Sequence, residues 1–466
     1  MKKKTLYILM ENQVRELNTY MLISILAAHK GYRIYIGTHY SIIKLLKLKK
    51  SIGGIFINKG SSVKYLSKFI KKKCDKLVII DQEISPGYSN LFYDFSVPAR
   101  HYEDTLLFVD RYYCVNDIVR KIAQKTLLKE NKKLKIVSVG WPRFDIMNHD
   151  YQNIFINQIK KLNKKYSNFI LFNSDFGLVS KKDIEIFDGT NIFRKADKKF
   201  IKKNNKIKKN FRDHAIKDFN RFKIFLLNIA NKIGNKKIVI RPHPAESISE
   251  WKKIVRISKN IFLEKPSYDV SAAIFAADYV VHRGCTTGYQ SLVAHKKPAY
   301  INLLNDKKPY HFRPTLLELS KNIKNENEFL KWLKKDGTNH SKINYNKLNK
   351  ILNIQKKLSS QRIVDDFDNL KIKYELNHSP FQLYTDFEVK YEYYKNKIYD
   401  IFVKFGIKKE RNFSTKYKNP KILKDFDLNN IKKILNKLLK LKIFINQKSK
   451  IRVRKISDTL FEIDKI

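Results

Sequence analysis

The run Arg241-Pro242-His243-Pro244, with Glu246 two residues further on, is the part of this sequence most clearly suited to chemistry. Two prolines around a histidine fix the backbone and remove two amide donors, so the imidazole projects rigidly from whatever precedes it. Arg241 and His243 suit a phosphate, the arginine supplying a planar fork of donors, and Glu246 suits a ribose hydroxyl. The same residues would also make a proline-capped turn around a buried histidine. A second group, His282-Arg283-Gly284-Cys285-Thr286-Thr287-Gly288, leads into YQSLVAHKK. A glycine-containing turn, then hydroxyls, then a helix describes a phosphate cradle, or equally a threonine capping an ordinary helix. It lacks the Gly-Lys-Ser/Thr of a P-loop.

Carboxylates come next. Asn173-Ser174-Asp175-Phe176-Gly177 carries Asp175, a nucleophile or base if it faces a ligand and a turn residue if it does not. His214, in Arg212-Asp213-His214-Ala215, joins it only if the fold brings the two together. In the first third, Glu11, Arg15 and Glu16 suit the hydroxyls of a sugar acceptor. Lys59-Gly60 and Asp81-Gln82-Glu83 occupy equivalent places, and the two carboxylates Asp81 and Glu83 are candidates for a general base or for acceptor contacts. No glycine stands between Glu11 and Glu16, so a dinucleotide fingerprint is absent and NAD or FAD is not expected. Trp141 and Phe144, in Gly140-Trp141-Pro142-Arg143-Phe144-Asp145, read as packing residues.

Each group needs an element to place it. TLYILM (5–10), YRIYIG (32–37), GGIFIN (53–58), KLVIID (76–81), RYYCVN (111–116) and KIVSVG (135–140) read as strands, with helical patterns between them such as Leu17 to His29. A polar helix over 153–166 precedes a second series: NFILFN (168–173), KKIVI (236–240), NIFLE (260–264), DYVVH (278–282) and PAYIN (298–302). Between its first two strands, 181–215 reads as a long loop plus a helix, and 222–234 as an amphipathic helix closed by Gly234. Strands interleaved with helices imply crossovers and parallel sheets. The expected fold class is α/β: two Rossmann-like domains, 1–150 and 151–325, and a basic, mainly helical extension over 326–466. Ligands of such sheets sit at the carboxyl ends of strands, which is where the groups above fall.

The chain has 96 Lys+Arg against 44 Asp+Glu, a net charge of +52 over 466 residues, with 43% hydrophobic and 13% aromatic residues for burial. That charge fits nucleic acid, an acidic membrane face or a phosphorylated substrate, and equally a chain in which lysine has accumulated throughout. The lysines are spread along the whole length and few basic runs alternate with aromatics, which speaks against nucleic acid. Cys74, Cys114 and Cys285 match no metal-ligand spacing and suit a reducing compartment. The start, MKKKTLYILMENQ, reads as a first strand rather than a signal peptide, and no apolar run is long enough to span a bilayer. A cytoplasmic protein is expected, peripheral on the inner membrane face if it meets lipid at all. The segment suited to lipid is 429–454, where Ile431, Ile434, Leu435, Leu438 and Leu439 form a helical stripe beside lysines. That stripe would enter a membrane interface or pack onto the protein.

Taken together, Glu11…Arg15-Glu16, Lys59-Gly60, Asp81-Gln82-Glu83, the Gly-x-Pro-Arg-Phe-Asp stretch at 140–145, Arg-Pro-His-Pro at 241–244 and His-Arg-Gly-Cys-Thr-Thr at 282–287 resemble bacterial surface carbohydrate biosynthesis proteins. These are similar to the retaining β-Kdo transferases of capsule and O-antigen assembly. The resemblance covers roughly 1–320. It implies a GT-B fold, CMP-Kdo or a related CMP-ulosonic acid as donor, a lipid-linked or oligosaccharide acceptor, and no metal. It further implies that the His243-Pro244 pair binds the cytidine nucleotide and that a carboxylate, matched to Asp175, is the nucleophile of a double displacement. The chain departs from the family's Asp-Glu-Glu at Gln82 and from its Gly-Asn-Pro-Arg at Trp141. The expected activity is therefore a glycosyltransferase for surface polysaccharide. Asp175, Glu83 and His214 are its catalytic candidates. Arg241, His243, Pro244, Glu246, His282, Arg283, Gly284, Thr286 and Thr287 are expected on the nucleotide sugar, and Glu11, Arg15, Glu16, Lys59 and Asp81 on the acceptor. The rival readings are a CDP-glycerol-type polyol-phosphate transferase, a nucleotide-sugar epimerase of the same shape, and a non-catalytic basic scaffold for anionic lipid or nucleic acid.

Overall fold

Eleven strands fall within two residues of the bounds expected from the sequence. They are β1 (Lys4–Met10), β2 (Tyr32–Thr38), β3 (Ile55–Asn58), β4 (Lys76–Ile80), β5 (Arg111–Cys114), β6 (Lys135–Ser138), β7 (Phe169–Asn173), β8 (Lys237–Arg241), β9 (Ile261–Leu263), β10 (Tyr279–His282) and β11 (Ala299–Ile301). Three more, β12 (Lys321–Ile323), β13 (Ile451–Ser457) and β14 (Leu460–Lys465), were not expected. The structure, a computed structural model, describes residues 3–48, 53–60, 64–87, 90–99, 101, 103–176, 179, 198–243, 246, 248–305, 314–335, 343–373, 426–447, 450–457 and 459–466.

The first sheet has the order β13-β14-β2-β1-β3-β4-β5-β6 and the second β12-β11-β10-β7-β8-β9. β1 runs parallel to β2 and β3, and all the described pairs of the second sheet are parallel. The α/β class expected from the alternating pattern is what the chain adopts. Buried on both faces, parallel strands read as short continuous apolar runs, which is why they were visible. The Gln13–His29 helix is buried all along Thr19–Ala28, as a helix apolar on every side must be.

By contacts the chain divides into two compact units. One comprises Met1–Ile80, Leu107–Tyr112 and Ser360–Ile466, and the other Asp81–Leu106 and Tyr113–Ser359. These units differ from the expected bounds of 1–150, 151–325 and 326–466. The end of the chain forms no separate body, because β14 adds antiparallel to β2 and β13 to β14. Close approach is built in at Gly37 on β2, where an added Cβ would meet the carbonyl oxygen of Thr459 at 2.7 Å. Basic residues of the tail and the amino terminus hold the buried carboxylates of β14. Arg452 and Lys3 donate to Asp464, and Arg454 pairs with Glu462. Local periodicity carries no sign of a return across four hundred residues.

Helices are present in the extension at Glu326–Lys335, Tyr345–Leu352, Ser359–Asp366 and Leu428–Leu439. In the last of these Ile431, Leu435 and Leu438 are buried, with Ile434 and Leu439 half-buried, against the Gln13–His29 helix and β13. The stripe that the sequence offers to a membrane is therefore packed onto the protein, while Lys432, Lys433, Lys440 and Lys442 are exposed. Among the described residues no helix is long and apolar enough to cross a membrane.

Candidate functional site

β7 lies between β10 and β8, and the residues singled out by type leave these three neighbouring strands at one edge of the second sheet. The register aligns His282, Asn173 and Arg241 as a row across β10, β7 and β8. Asp175 follows β7 by two residues and His243 follows β8 by two. Gly284, Thr286 and Thr287 follow β10. All lie at carboxyl ends, where parallel sheets receive ligands. His243 is exposed there, and Asp175 is partly exposed.

Glu246 ties two of these exits together. Its buried carboxylate accepts from the Ser174 hydroxyl at 2.8 and 3.0 Å, the Phe176 amide at 2.8 Å, the His243 amide at 3.2 Å and the Trp251 indole at 2.8 Å. The residues on either side of Asp175 and the backbone of His243 thus hang on one side chain. This corrects the ribose contact expected of Glu246, since protein donors occupy both of its oxygens. Its role is to position Asp175 and His243.

Burial pushes the Glu246 carboxyl up to about 7, with the charge of Asp175 adding to the rise and the donors from Phe176, Ser174 and Trp251 opposing it. A carboxyl raised on folding contributes stability that is complete below its unfolded value of 4.5 and is lost as pH rises through 7. Glu246→Gln mimics the protonated form. The unfolding free energy of wild type should therefore fall by about 3 kcal/mol relative to this variant between pH 4.5 and pH 8, as measured by denaturant titration. A constant difference across that range would contradict the assignment.

Other members of the expected set are engaged by protein groups. The His282 ring is fully buried: its Nδ1 accepts from the Gly284 amide at 2.9 Å, and its Nε2 lies 3.0 Å from the Ser320 hydroxyl. With Nδ1 an acceptor, the neutral ring carries its proton on Nε2 and donates to Ser320. Arg283 is buried in an ion pair with Asp218 and also donates to the Ile301 carbonyl. Both engagements have one cause: burying a polar group without a partner is costly. Thr286 makes no side-chain capping bond, while the Thr287 hydroxyl lies 2.6 Å from the Cys285 sulfur. Pro244 lies outside the described residues.

Arg241 differs from Arg283. It is buried, its Nη2 donates to the Tyr268 carbonyl, and its guanidinium lies 4.6 Å from the centre of the Tyr268 ring. No carboxylate pairs with it among the described residues, and burial draws its pKa down. The carboxylates whose charge reaches it, Asp269 and Glu264, are engaged by Ser271 and by Lys165 and Tyr166.

His214 lies on the Lys198–Ala230 helix one turn before Asp218, the partner of Arg283. Phe219 and Phe222 of that helix pack on Phe176 at ring separations of 5.1 and 5.2 Å. The helix that carries His214 is thus docked at the exits of β7 and β10.

Asp81 is buried and builds a turn: one oxygen accepts the Glu83 and Ile84 amides at 2.9 and 3.1 Å, and its carbonyl accepts the Trp141 indole at 3.1 Å. That corrects its place among the acceptor contacts and gives Trp141 its packing role, tilted against Phe144 at 5.2 Å. Glu83 remains partly exposed on the same turn. Gly87, at φ +72°, closes the turn where an added Cβ would collide with the Tyr289 hydroxyl, so the turn abuts the helix that follows β10.

In the other unit, buried Glu16 accepts the amides of Glu11 and Asn12 at 2.8 and 3.0 Å and pairs with Lys59 at 3.0 Å. Lys59 also lies 3.6 Å from the exposed Glu11. Glu16 therefore caps the Gln13–His29 helix and pairs with Lys59. Glu11 and the half-buried Arg15 keep a solvent-facing position. No group of three or more metal-ligating side chains is assembled among the described residues.

No model of a protein family matches the chain, and no curated protein sequence does. Solved structures do align with it. The UDP-GlcNAc 2-epimerase of Methanocaldococcus jannaschii is 12% identical over 79% of this chain and 99% of its own, with a TM-score of 0.46. That of Neisseria meningitidis is 11% identical over 78% and 100%, with a TM-score of 0.44. The wall teichoic acid polymerase TagF is 13% identical over 79% and 89%, with a TM-score of 0.46.

Proposed function

We propose that this chain is a glycosyltransferase of the GT-B kind, which moves a sugar from a CMP-activated donor onto a lipid-linked or oligosaccharide acceptor in the cytoplasm, for surface polysaccharide. The observation that carries the reading is the convergence of Asp175 and His243 at one sheet edge, held in register by the Glu246 carboxylate. A group-transfer site needs a nucleophile and a leaving-group contact in fixed relation. A shared buried anchor supplies that relation, because neither exit can shift without the other. His243, exposed and pinned at its amide, suits the nucleotide phosphate. Asp175, a neighbouring strand away, suits attack on the anomeric carbon. In this account His214 and Glu83 serve as acid and base from the helix and the turn that border the same edge. The resemblance of the ordered residues to β-Kdo transferases favours Kdo or a related ulosonic acid as the sugar.

Incubating the protein with a panel of CMP- and CDP-activated donors and a truncated acceptor tests the reading. Transfer from a CMP-sugar is the expected outcome. Transfer from CDP-glycerol alone would replace it with polyol-phosphate transfer, and no turnover of any donor would overturn it.

A further inference from the structure

We infer that Asn173 and Arg241 form a two-donor seat for a phosphate-class oxyanion at the junction of β7 and β8. The two residues are register partners on adjacent parallel strands, so their side chains leave the sheet on the same face, with Cα atoms about 4.8 Å apart. Both are more than nine-tenths buried, at 4% and 6% exposure. The Asn173 Nδ2 and the Arg241 Nη1 are buried donors with no hydrogen-bond partner among the described residues. The third member of the row, His282, shows the ordinary outcome, with both ring nitrogens met by protein groups. Arg283, the other buried arginine at this edge, has Asp218 as its counter-ion.

Two orphan donors on register-partner residues, one of them cationic, suit a ligand with two acceptor oxygens and negative charge. A water molecule would meet the hydrogen-bonding need and leave the guanidinium charge uncompensated, which burial makes costly. An oxyanion meets both. The tyrosine ring beneath the guanidinium holds its plane, and the Tyr268 carbonyl fixes Nη2, so Nη1 is the edge left for a ligand. Asn173 was not singled out by the sequence, where it is one polar residue at a strand end. Its register with Arg241 gives it meaning.

The inference deepens the transferase reading, on which it rests for the natural ligand: the anion would be the donor's phosphate. The seat itself is tested without nucleotide. Calorimetric titration of the full chain with inorganic phosphate should show one saturable site. Asn173→Leu, which removes the donor at similar volume, should weaken it at least about tenfold. Asn173→Asp keeps the shape and supplies Arg241 with the missing carboxylate. It should abolish phosphate binding and raise the melting temperature, and it decides the matter if the leucine variant does not fold. No phosphate binding by wild type, or wild-type affinity in the folded variants, overturns the seat. Titrations with CMP separate the two ideas. Tight CMP binding unaffected by either variant removes the seat and leaves the transferase reading standing. Asn173-dependent phosphate binding with no response to CMP keeps the seat and removes the nucleotide reading.

Discussion

Asp175→Asn is expected to lower sugar transfer by about a thousandfold or more while donor affinity stays within a few-fold of wild type. The asymmetry follows from the geometry. Asp175 is flanked by Ser174 and Phe176, both bonded to Glu246, so a near-isosteric replacement leaves the exit of β7 in place. Only the negative charge and one carboxylate oxygen are lost. Mass spectrometry of wild type incubated with donor alone should show a sugar adduct on the peptide containing Asp175, absent from the variant. Full transfer by Asp175→Asn would remove the residue from the chemistry. Unimpaired transfer in Glu246→Gln would show that the clamp is dispensable.

The largest effect on stability is expected at Asp218. Arg283 and Asp218 are buried, and the pair joins the exit of β10 to the Lys198–Ala230 helix. Asp218→Asn keeps the volume and leaves a buried guanidinium without its counter-ion, at a cost of about 3–5 kcal/mol. The melting temperature should fall by roughly 10 °C. Removing both partners, in Asp218→Leu with Arg283→Met, should recover much of that loss, because no buried charge is then stranded. A fall of under about 1 kcal/mol in Asp218→Asn would show that the pair is exposed to water in solution.

These expectations depend on contacts that the sequence discloses unevenly. The eleven strands were legible because short apolar runs between turn residues have few other uses in a chain of this length. The place of the candidate residues was legible for the same reason: Asp175, His243 and Thr286 stand just past such runs. What the sequence could not divide was function from support among adjacent polar residues. His243 and Glu246 are three apart, yet one faces solvent and the other anchors two loops. Arg241 and Arg283 are alike in sequence context, each within two residues of a histidine at the carboxyl end of a strand. Asp218, far along the chain, satisfies one and not the other. Glu16 and Asp81 read as acceptor contacts and turned out to serve their own backbone, as capping and turn-building carboxylates do. The closing hairpin was hidden because β13 and β14 mix charged with apolar residues, and such a mixture blends into a chain rich in charged residues.

A cytidine nucleotide is expected to bind at the carboxyl edge of the second sheet through His243. The most direct test is calorimetric titration of CMP into wild type and His243→Ala, with melting temperatures recorded for both. Because the imidazole is exposed, the variant should melt within about 1 °C of wild type, since surface changes of this kind cost under 0.5 kcal/mol. Its CMP affinity should fall at least about tenfold. Equal CMP affinity in the two folded proteins, or no CMP binding by wild type, would exclude His243 from a cytidine site.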